Sequence, residues 1–511
     1  MFMYSALKQS RTLFFIGTGV FFCAVGLLLF SANMQRGLSH DEHMYVAGGE
    51  LVARGLGLPY RNFPYLQMPN LVFIYAALFG VSDYLLLSAR LFSTLVSLGS
   101  LALVFLLVSD LLGGSSYFAR FILAAGSVML IVNNPIFNYT SGQAWNHDLP
   151  MLFCLGAFVL LRRGTLEGGG EKGMIVGGLL AGLAVGTRLL FLLVLPVCIF
   201  AIAMPPLRLP GRGQLRLVML FGAGIVLGLL PSLLMFALAP GQFVYGNFVY
   251  HQANGEFWER IGYTRAMDLA GKLGYLWEVV LQPGNLVLAL GLLTLGITVV
   301  LMKAHRVFAA WREFYLALMV AVALLVGVFV PDPSWYQYYF APLPFLVLCI
   351  GYCAAALYRA RVWSLALFAL IVLLSFVYRP PFYPVENLLS PDRWEPVRVH
   401  HVGEEIGKYV GSERVLTFAP IYPLEGGAGI YADLAAGPFT WRSITLLSEG
   451  ERAASGLMSP GELTGLLNRE PPKAILVGFE PDLEMPWIEY AKGRGYREVA
   501  LGDGAILWLA P

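Results

Sequence analysis

Four titratable side chains stand in a row at His40-Asp41-Glu42-His43, a few residues beyond a long apolar run. Two carboxylates beside two imidazoles can supply a general base, a metal site or both, because carboxylate oxygen and imidazole nitrogen are the usual ligands of divalent metals. The alternative is a solvated loop whose acids cap a helix beginning near Glu42. A second His-Asp pair, His147-Asp148, closes the polar segment Gln143-Ala144-Trp145-Asn146. If the two segments converge, His147 and Asp148, with His43, are candidate ligands for a divalent ion, and the donor set does not separate Mg, Mn and Zn. Otherwise Asp148 caps the helix that begins at Leu149.

Two arginines stand out. Arg188 lies between two apolar runs and Arg90 early in another, where a charge at a span centre costs about 2.5–3.5 kcal/mol. Each wants an anionic partner, and a lipid-linked phosphate held by forked hydrogen bonds would serve; snorkelling, or pairing with an acid such as Asp83, would serve as well. The segment Trp335-Tyr336-Gln337-Tyr338 suits a surface that stacks and hydrogen-bonds a sugar, or an interfacial aromatic belt. The same pair of readings applies to Tyr60-Arg61-Asn62, part of an aromatic, proline-rich stretch with one arginine. Tyr245, Asn247, His251, Gln252 and Trp258 are candidates for acceptor recognition.

The elements that must position these residues are membrane helices. Of the 511 residues 58% are hydrophobic and 13% charged, against about 45–50% and about 25% in soluble domains, and the mean hydropathy is +0.68. Apolar runs of span length predict about eleven transmembrane helices, at 12–32, 85–108, 117–133, 149–161, 173–187, 189–204, 217–238, 284–302, 314–330, 340–357 and 362–378. The short pair flanking Arg188 fits a broken or re-entrant hairpin. All five cysteines fall inside apolar runs and read as structural. A net charge of +2 without a basic block excludes a nucleic-acid partner.

Basic residues set the orientation. Lys8 and Arg11, Arg120, Arg162 and Arg163, Arg208, Lys303 and Arg306, and Arg359 and Arg361 all fall on one side of this alternation, while segments 134–148 and 331–339 hold no Lys or Arg. By the positive-inside rule the N-terminus is cytoplasmic and the C-terminus extracytoplasmic. The expected architecture is mainly α: a transmembrane domain over 1–378 and a small extracytoplasmic α/β domain over 379–511. The latter opens with Pro380, Pro381 and Pro384, has strand-like runs at Arg414 to Ala419, Ala474 to Phe479 and Ala505 to Leu509, and has helical stretches near 400–410, 459–468 and 484–494. A glycine cluster at Gly168 to Gly170 fits a cytoplasmic turn.

There is no P-loop, no dinucleotide fingerprint and no cytoplasmic domain large enough for a nucleotide sugar. An enzyme with its carboxylates outside would take an activated substrate that arrives in the membrane, as a lipid phosphate.

At this point the residues resemble a family: the GT-C superfamily of polyprenyl-phosphate-sugar-dependent glycosyltransferases, in the branch of protein O-mannosyltransferases and the lipid A aminoarabinose transferase. The resemblance lies in Asp41, Glu42 and Tyr45, then Gly55, Pro59-Tyr60-Arg61-Asn62 and Pro69 before Gly80. It continues through Asp148, through Gly182-Leu183-Ala184-Val185-Gly186-Thr187-Arg188 ahead of Pro196, and through Tyr339-Phe340-Ala341-Pro342. Two departures matter. Leu66-Gln67-Met68-Pro69 replaces an acid-Lys-Pro-Pro run, so contacts made there do not carry over, and Asn62 stands where Asp is common.

The resemblance implies a bacterial or archaeal inner-membrane enzyme that moves a sugar, with inversion, from polyprenyl phosphate to an extracytoplasmic acceptor: a glycolipid, a cell-envelope glycan or a protein hydroxyl. It implies Asp41 as general base with Glu42 assisting or binding metal. Arg188, Arg90 and Arg61 would hold the donor phosphate, and Tyr45, Tyr60, Asn62, Trp335, Tyr336, Gln337 and Tyr338 the sugar or acceptor. His147, Asp148 and His43 would hold a divalent ion or orient the acceptor. The competing expectation is a transporter or flippase for a lipid-linked glycan, which intramembrane arginines would also suit.

Overall fold

The computed structural model describes residues 2–166, 170–203, 211–263, 268–306, 310–361, 364–377 and 385–511. Gly168 and Gly169, Arg208, the domain boundary at 378/379 and Pro380, Pro381 and Pro384 lie outside the described residues.

Helical segments stand at all eleven expected positions. Among the described residues six are long and apolar enough by themselves to cross a membrane: Arg11–Gln35, Leu85–Leu111, Gly213–Leu238, Pro283–Leu301, Trp311–Val328 and Tyr336–Ala360. The other positions hold Tyr117–Val132, Asp148–Leu166, Glu171–Thr187, Leu189–Ala203 and Ser364–Ser375. The chain is an integral membrane protein, because a bundle this apolar exposes rings and aliphatic side chains such as Phe15, Leu95, Leu230, Leu293 and Leu373 that water would not solvate.

Without a hydrophobic drive between helices in lipid, close backbone approach holds them together, and small residues permit it. Gly178 and Gly182 on helix Glu171–Thr187 face Gly224 and Gly228 on helix Gly211–Leu238. A Cβ on Gly178 would lie 2.0 Å from the Phe221 carbonyl oxygen, and one on Gly224 2.1 Å from that of Ile175. Helix Glu171–Thr187 then ends at Arg188, whose backbone is extended (φ −151°, ψ 120°), and the chain resumes as a short 3-10 turn, Leu189–Leu193, before Val194–Ala203. The break expected at Arg188 is therefore present, and it aims the arginine out of the helix pair.

At one end of the bundle the basic residues of separate loops meet acids and carbonyls. Arg162 pairs with Glu313 at 2.9 Å, and Arg359 donates to the Leu111 carbonyl at 2.8 Å. At the other end sit the helix His40–Ala53, the segment 134–147 and the C-terminal domain. This partition follows the alternation read from the sequence.

The C-terminal domain carries a five-stranded mixed sheet of order β2-β1-β3-β5-β4. Its strands are β1 (Arg414–Leu416), β2 (Gly429–Ile430), β3 (Ala474–Val477), β4 (Arg497–Ala500) and β5 (Ile506–Leu509). β1 runs parallel to β2 and β3, with Val415 opposite Ala474, and β5 is antiparallel to β3 and β4, with Ala474 opposite Leu509. Helices Glu395–Val410, Pro460–Arg469 and Pro481–Gly493 flank it. Trp487 is wholly buried against Phe418, ring centroids 4.2 Å apart.

The domain is clamped to the bundle. Glu425 accepts from the backbone N–H groups of Leu85 and Leu86, 3.2 and 2.7 Å, at the start of helix Leu85–Leu111, where the helix dipole favours a carboxylate. Arg54 donates to the carbonyls of Ala428 and Leu424, each at 2.9 Å.

Candidate active site

The helix His40–Ala53 sends consecutive residues in different directions, about 100° apart. Glu42 turns into the bundle. Its Oε1 accepts from Arg90 Nε (2.9 Å) and the Ala144 N–H (2.7 Å), and its Oε2 from Arg90 Nη2 (2.6 Å) and the Ser39 N–H (2.9 Å). Burial alone would raise this carboxyl, but the Arg90 charge and these four donors together hold it below the usual carboxylate range. Arg90 places its remaining N–H groups on the carbonyls of Asn33, Arg36 and Gly37, at 3.0, 2.6 and 3.0 Å. A guanidinium has five donors, and all of Arg90's are taken. Arg90 thus has no N–H left over for a phosphate, and the pair braces the helix start to the bundle.

Asp41, one residue earlier, points the other way, into a cavity of about 240 Å3. Its side chain is 28% exposed, and His40 Nε2 stands 3.5 Å from Oδ1. The cavity gathers residues from seven separated segments. Asp41 and Tyr45 come from helix His40–Ala53, Gln67 from the segment after it, His147 from the segment before helix Asp148–Leu166, Arg188 from the helix break, His251 and Trp258 from helix Tyr250–Arg260, and Trp335, Gln337 and Tyr338 from the 331–340 segment. Phe439 of the C-terminal domain closes one wall.

Arg188 is buried and lines this cavity. Its Nη1 donates to Asn146 Oδ1 at 2.6 Å and to His147 Nε2 at 3.1 Å, and its Cζ lies 4.8 Å from the Tyr338 ring centroid. These partners are neutral, and among the described residues no carboxylate stands within ion-pair distance of it. A buried guanidinium without a counter-ion, facing an open cavity, is a site for an anion.

The residues expected to bind a metal do not come together. His147 Nε2 faces the Arg188 guanidinium, and burial together with that charge pushes its imidazole well below the ordinary range. His43 turns away to accept from the Ile421 N–H at 3.4 Å, and burial lowers it to about 3. Asp148 Oδ2 accepts from the Gly142 N–H at 2.7 Å, tying the preceding loop to the first turn of its helix. Among the described residues no three His, Cys, Asp or Glu side chains stand close enough to hold an ion. The set His43, His147 and Asp148 does not fit a divalent cation.

Five other expected ligands also lie elsewhere. Tyr60 is buried, donates to the Gln67 carbonyl and receives the Asn247 amide at 3.3 Å. Asn62 accepts from the Leu58 N–H at 3.0 Å and holds a turn. Arg61 is exposed over a second cavity, of about 180 Å3, that also holds Tyr245 and Asp433. Tyr336 donates to Gln282 at 2.5 Å, and Gln252 is exposed. Conversely Asn146, Tyr250, Asn254 and Phe439 contribute to the site without having been singled out. Asn146 sits beside His147 in the sequence, yet a neutral amide gives no charge signal.

No family model matches the chain, and no curated protein matches it in sequence. Solved structures do match. The crystal structure of ArnT from Cupriavidus metallidurans bound to undecaprenyl phosphate is 15% identical, with a TM-score of 0.60, over 96% of this chain and 98% of that one. The apo state of the same protein is 14% identical, with a TM-score of 0.58 over the same shares. The Archaeoglobus fulgidus oligosaccharyltransferase in complex with Zn and sulfate is 15% identical, with a TM-score of 0.50, over 90% of this chain and 68% of that one. The chain shares the fold of the ArnT structures.

Proposed function

We propose that this protein is a membrane glycosyltransferase that transfers a sugar from a polyprenyl-phosphate donor to an extracytoplasmic acceptor hydroxyl, with inversion at the anomeric carbon. The observation that carries the reading is that Asp41, a partly exposed carboxylate, and Arg188, a buried guanidinium without an acidic partner, line one cavity. In support, the ArnT structure similar to this chain over nearly its whole length is of an undecaprenyl phosphate complex.

The chemistry follows from these two groups. The acceptor oxygen attacks the anomeric carbon from the face opposite the phosphate, and Asp41 takes the hydroxyl proton as the new bond forms. The bond from the anomeric carbon to the phosphate oxygen breaks, its electron pair stays on the phosphate, and Arg188 stabilises the added charge. Glycoside and polyprenyl phosphate result. Trp335 and Tyr338 offer ring faces, and Gln337 an amide, to the sugar between. His147 and Asn146 orient the guanidinium.

The test is transfer by purified protein from a polyprenyl-phosphate sugar to a mixed hydroxyl-acceptor extract. Asp41→Asn is expected to retain donor binding and lose transfer by about 10²–10⁴-fold, whereas Arg188→Ala is expected to lose both. Full activity in Asp41→Asn would remove it from the base role.

A further inference from the structure

The cavity's charge inventory constrains the sugar, and the argument rests on the donor reading just given. Among the described lining residues Asp41 is the single carboxylate and Arg188 the single arginine, and no lysine is present. With Asp41 assigned to the acceptor hydroxyl and Arg188 to the phosphate, no fixed charge is left for the sugar itself.

The remaining walls are neutral. Trp145, Trp258, Trp335, Tyr45, Tyr250 and Phe439 supply rings. Gln337, Gln67 and Asn254 supply amides, which both donate and accept and so suit hydroxyl groups. Deep in the site burial pushes His251 down to about 4, and His147 is likewise held neutral. His40 lies at the rim against Asp41. Two further charged groups stand behind this lining. Arg442 stands behind the rings of Trp258 and Phe439, its Cζ 4.9 and 6.0 Å from their centroids, and donates to Glu480. Glu42 is saturated by Arg90. A charged group desolvated here would find no counter-charge, which is costly, while hydroxyls and C–H faces would be well matched.

We infer that the transferred sugar is uncharged, a hydroxylated neutral hexose or pentose, and neither an amino sugar nor a uronic acid. The selection is made by the absence, among the described lining residues, of a second carboxylate or cation beside the reacting pair.

The experiment is a lipid competition on the purified full-length protein in nanodiscs, read by native mass spectrometry. The probes are bare polyprenyl phosphate and the same lipid carrying a neutral hexose, an amino sugar or a uronic acid. The neutral donor is expected to be retained about tenfold or more over either charged donor. In a Gln337→Glu variant, which places a carboxylate in the cavity, the amino-sugar lipid is expected to recover. Binding of bare lipid together with equal retention of a charged-sugar lipid overturns the inference while the donor reading stands. Failure of every lipid, the bare phosphate included, overturns the donor reading and the inference with it. The wild-type competition decides the matter whether or not the variant folds.

Discussion

Arg90 and Glu42 close a two-bond fork, 2.9 and 2.6 Å, with neither side chain reaching solvent. The fork joins the helix that carries Asp41 to helix Leu85–Leu111, and the Ala144 N–H on the same carboxylate draws in the segment that carries His147. Removing one partner would leave a buried charge uncompensated, at a cost of about 3–5 kcal/mol. Glu42→Gln and Arg90→Met are each expected to lower the melting temperature and the yield of folded protein sharply, and the double variant less than the sum of the two. Thermal unfolding in detergent checks this. A Glu42→Gln protein that melts like wild type yet cannot transfer sugar would return Glu42 to a chemical role.

The pair Asp41 and Glu42 also shows what sequence could and could not disclose. As adjacent acids at a helix start they are chemically alike; one faces the cavity and the other the bundle solely because the helix turns between them. The eleven helical positions and the partition of basic residues were legible because apolar length and charge are local properties. Strands β1, β3 and β5 showed as apolar runs, whereas β2 has two residues and β4 reads Arg497-Glu498-Val499-Ala500, mostly exposed, with no such signal. The spacing of His43, His147 and Asp148 suggested ligands, yet their convergence depends on the tertiary fold, which gives each a different partner. Phe439 reaches the cavity from the far end of the chain, and nothing near it in sequence announces that.

Helix packing makes a prediction with an internal control. Gly224 meets the Ile175 carbonyl, so Gly224→Val has no room and is expected to cost about 1–3 kcal/mol through a forced helix shift. Gly222, two residues earlier on the same helix, has nothing within 4 Å of a Cβ. Gly222→Ala is expected to be neutral or to stabilise by about 0.5–1 kcal/mol. Melting curves of the two variants check the difference; equal behaviour would mean that this helix pair does not depend on backbone contact.

At the domain clamp His400 Nδ1 lies 2.7 Å from Glu425 Oε2, stacks on Tyr84 at 3.8 Å, and has Glu404 3.9 Å from Nε2. The hydrogen bond to Glu425 raises the imidazole above its ordinary value despite burial. A raised histidine contributes stability that is fully present below the unfolded value, about 6.5, and is lost as pH rises through the native one. Proteolysis within the C-terminal domain is therefore expected to quicken as pH rises above about 6.5, and His400→Phe to abolish that dependence. A pH-independent cleavage rate in wild type would count against the clamp.

Three buried histidines, two of them lining the cavity, act with the opposite sign. His43, His147 and His251 are all lowered by burial and stay neutral in the folded protein. The unfolded chain protonates each near pH 6.5, so it binds more protons than the native state, and stability falls as pH drops below that point. Each contributes a slope of up to about 1.4 kcal/mol per pH unit. Melting of the lipid-free protein is expected to drop steeply from pH 6.5 to 5, before most carboxylates titrate, and His251→Asn to make the drop shallower. His400 cannot produce this trend, since its charged form is favoured by acid. A flat melting profile over that interval would show that these histidines take up protons as readily in the folded protein as in the unfolded chain.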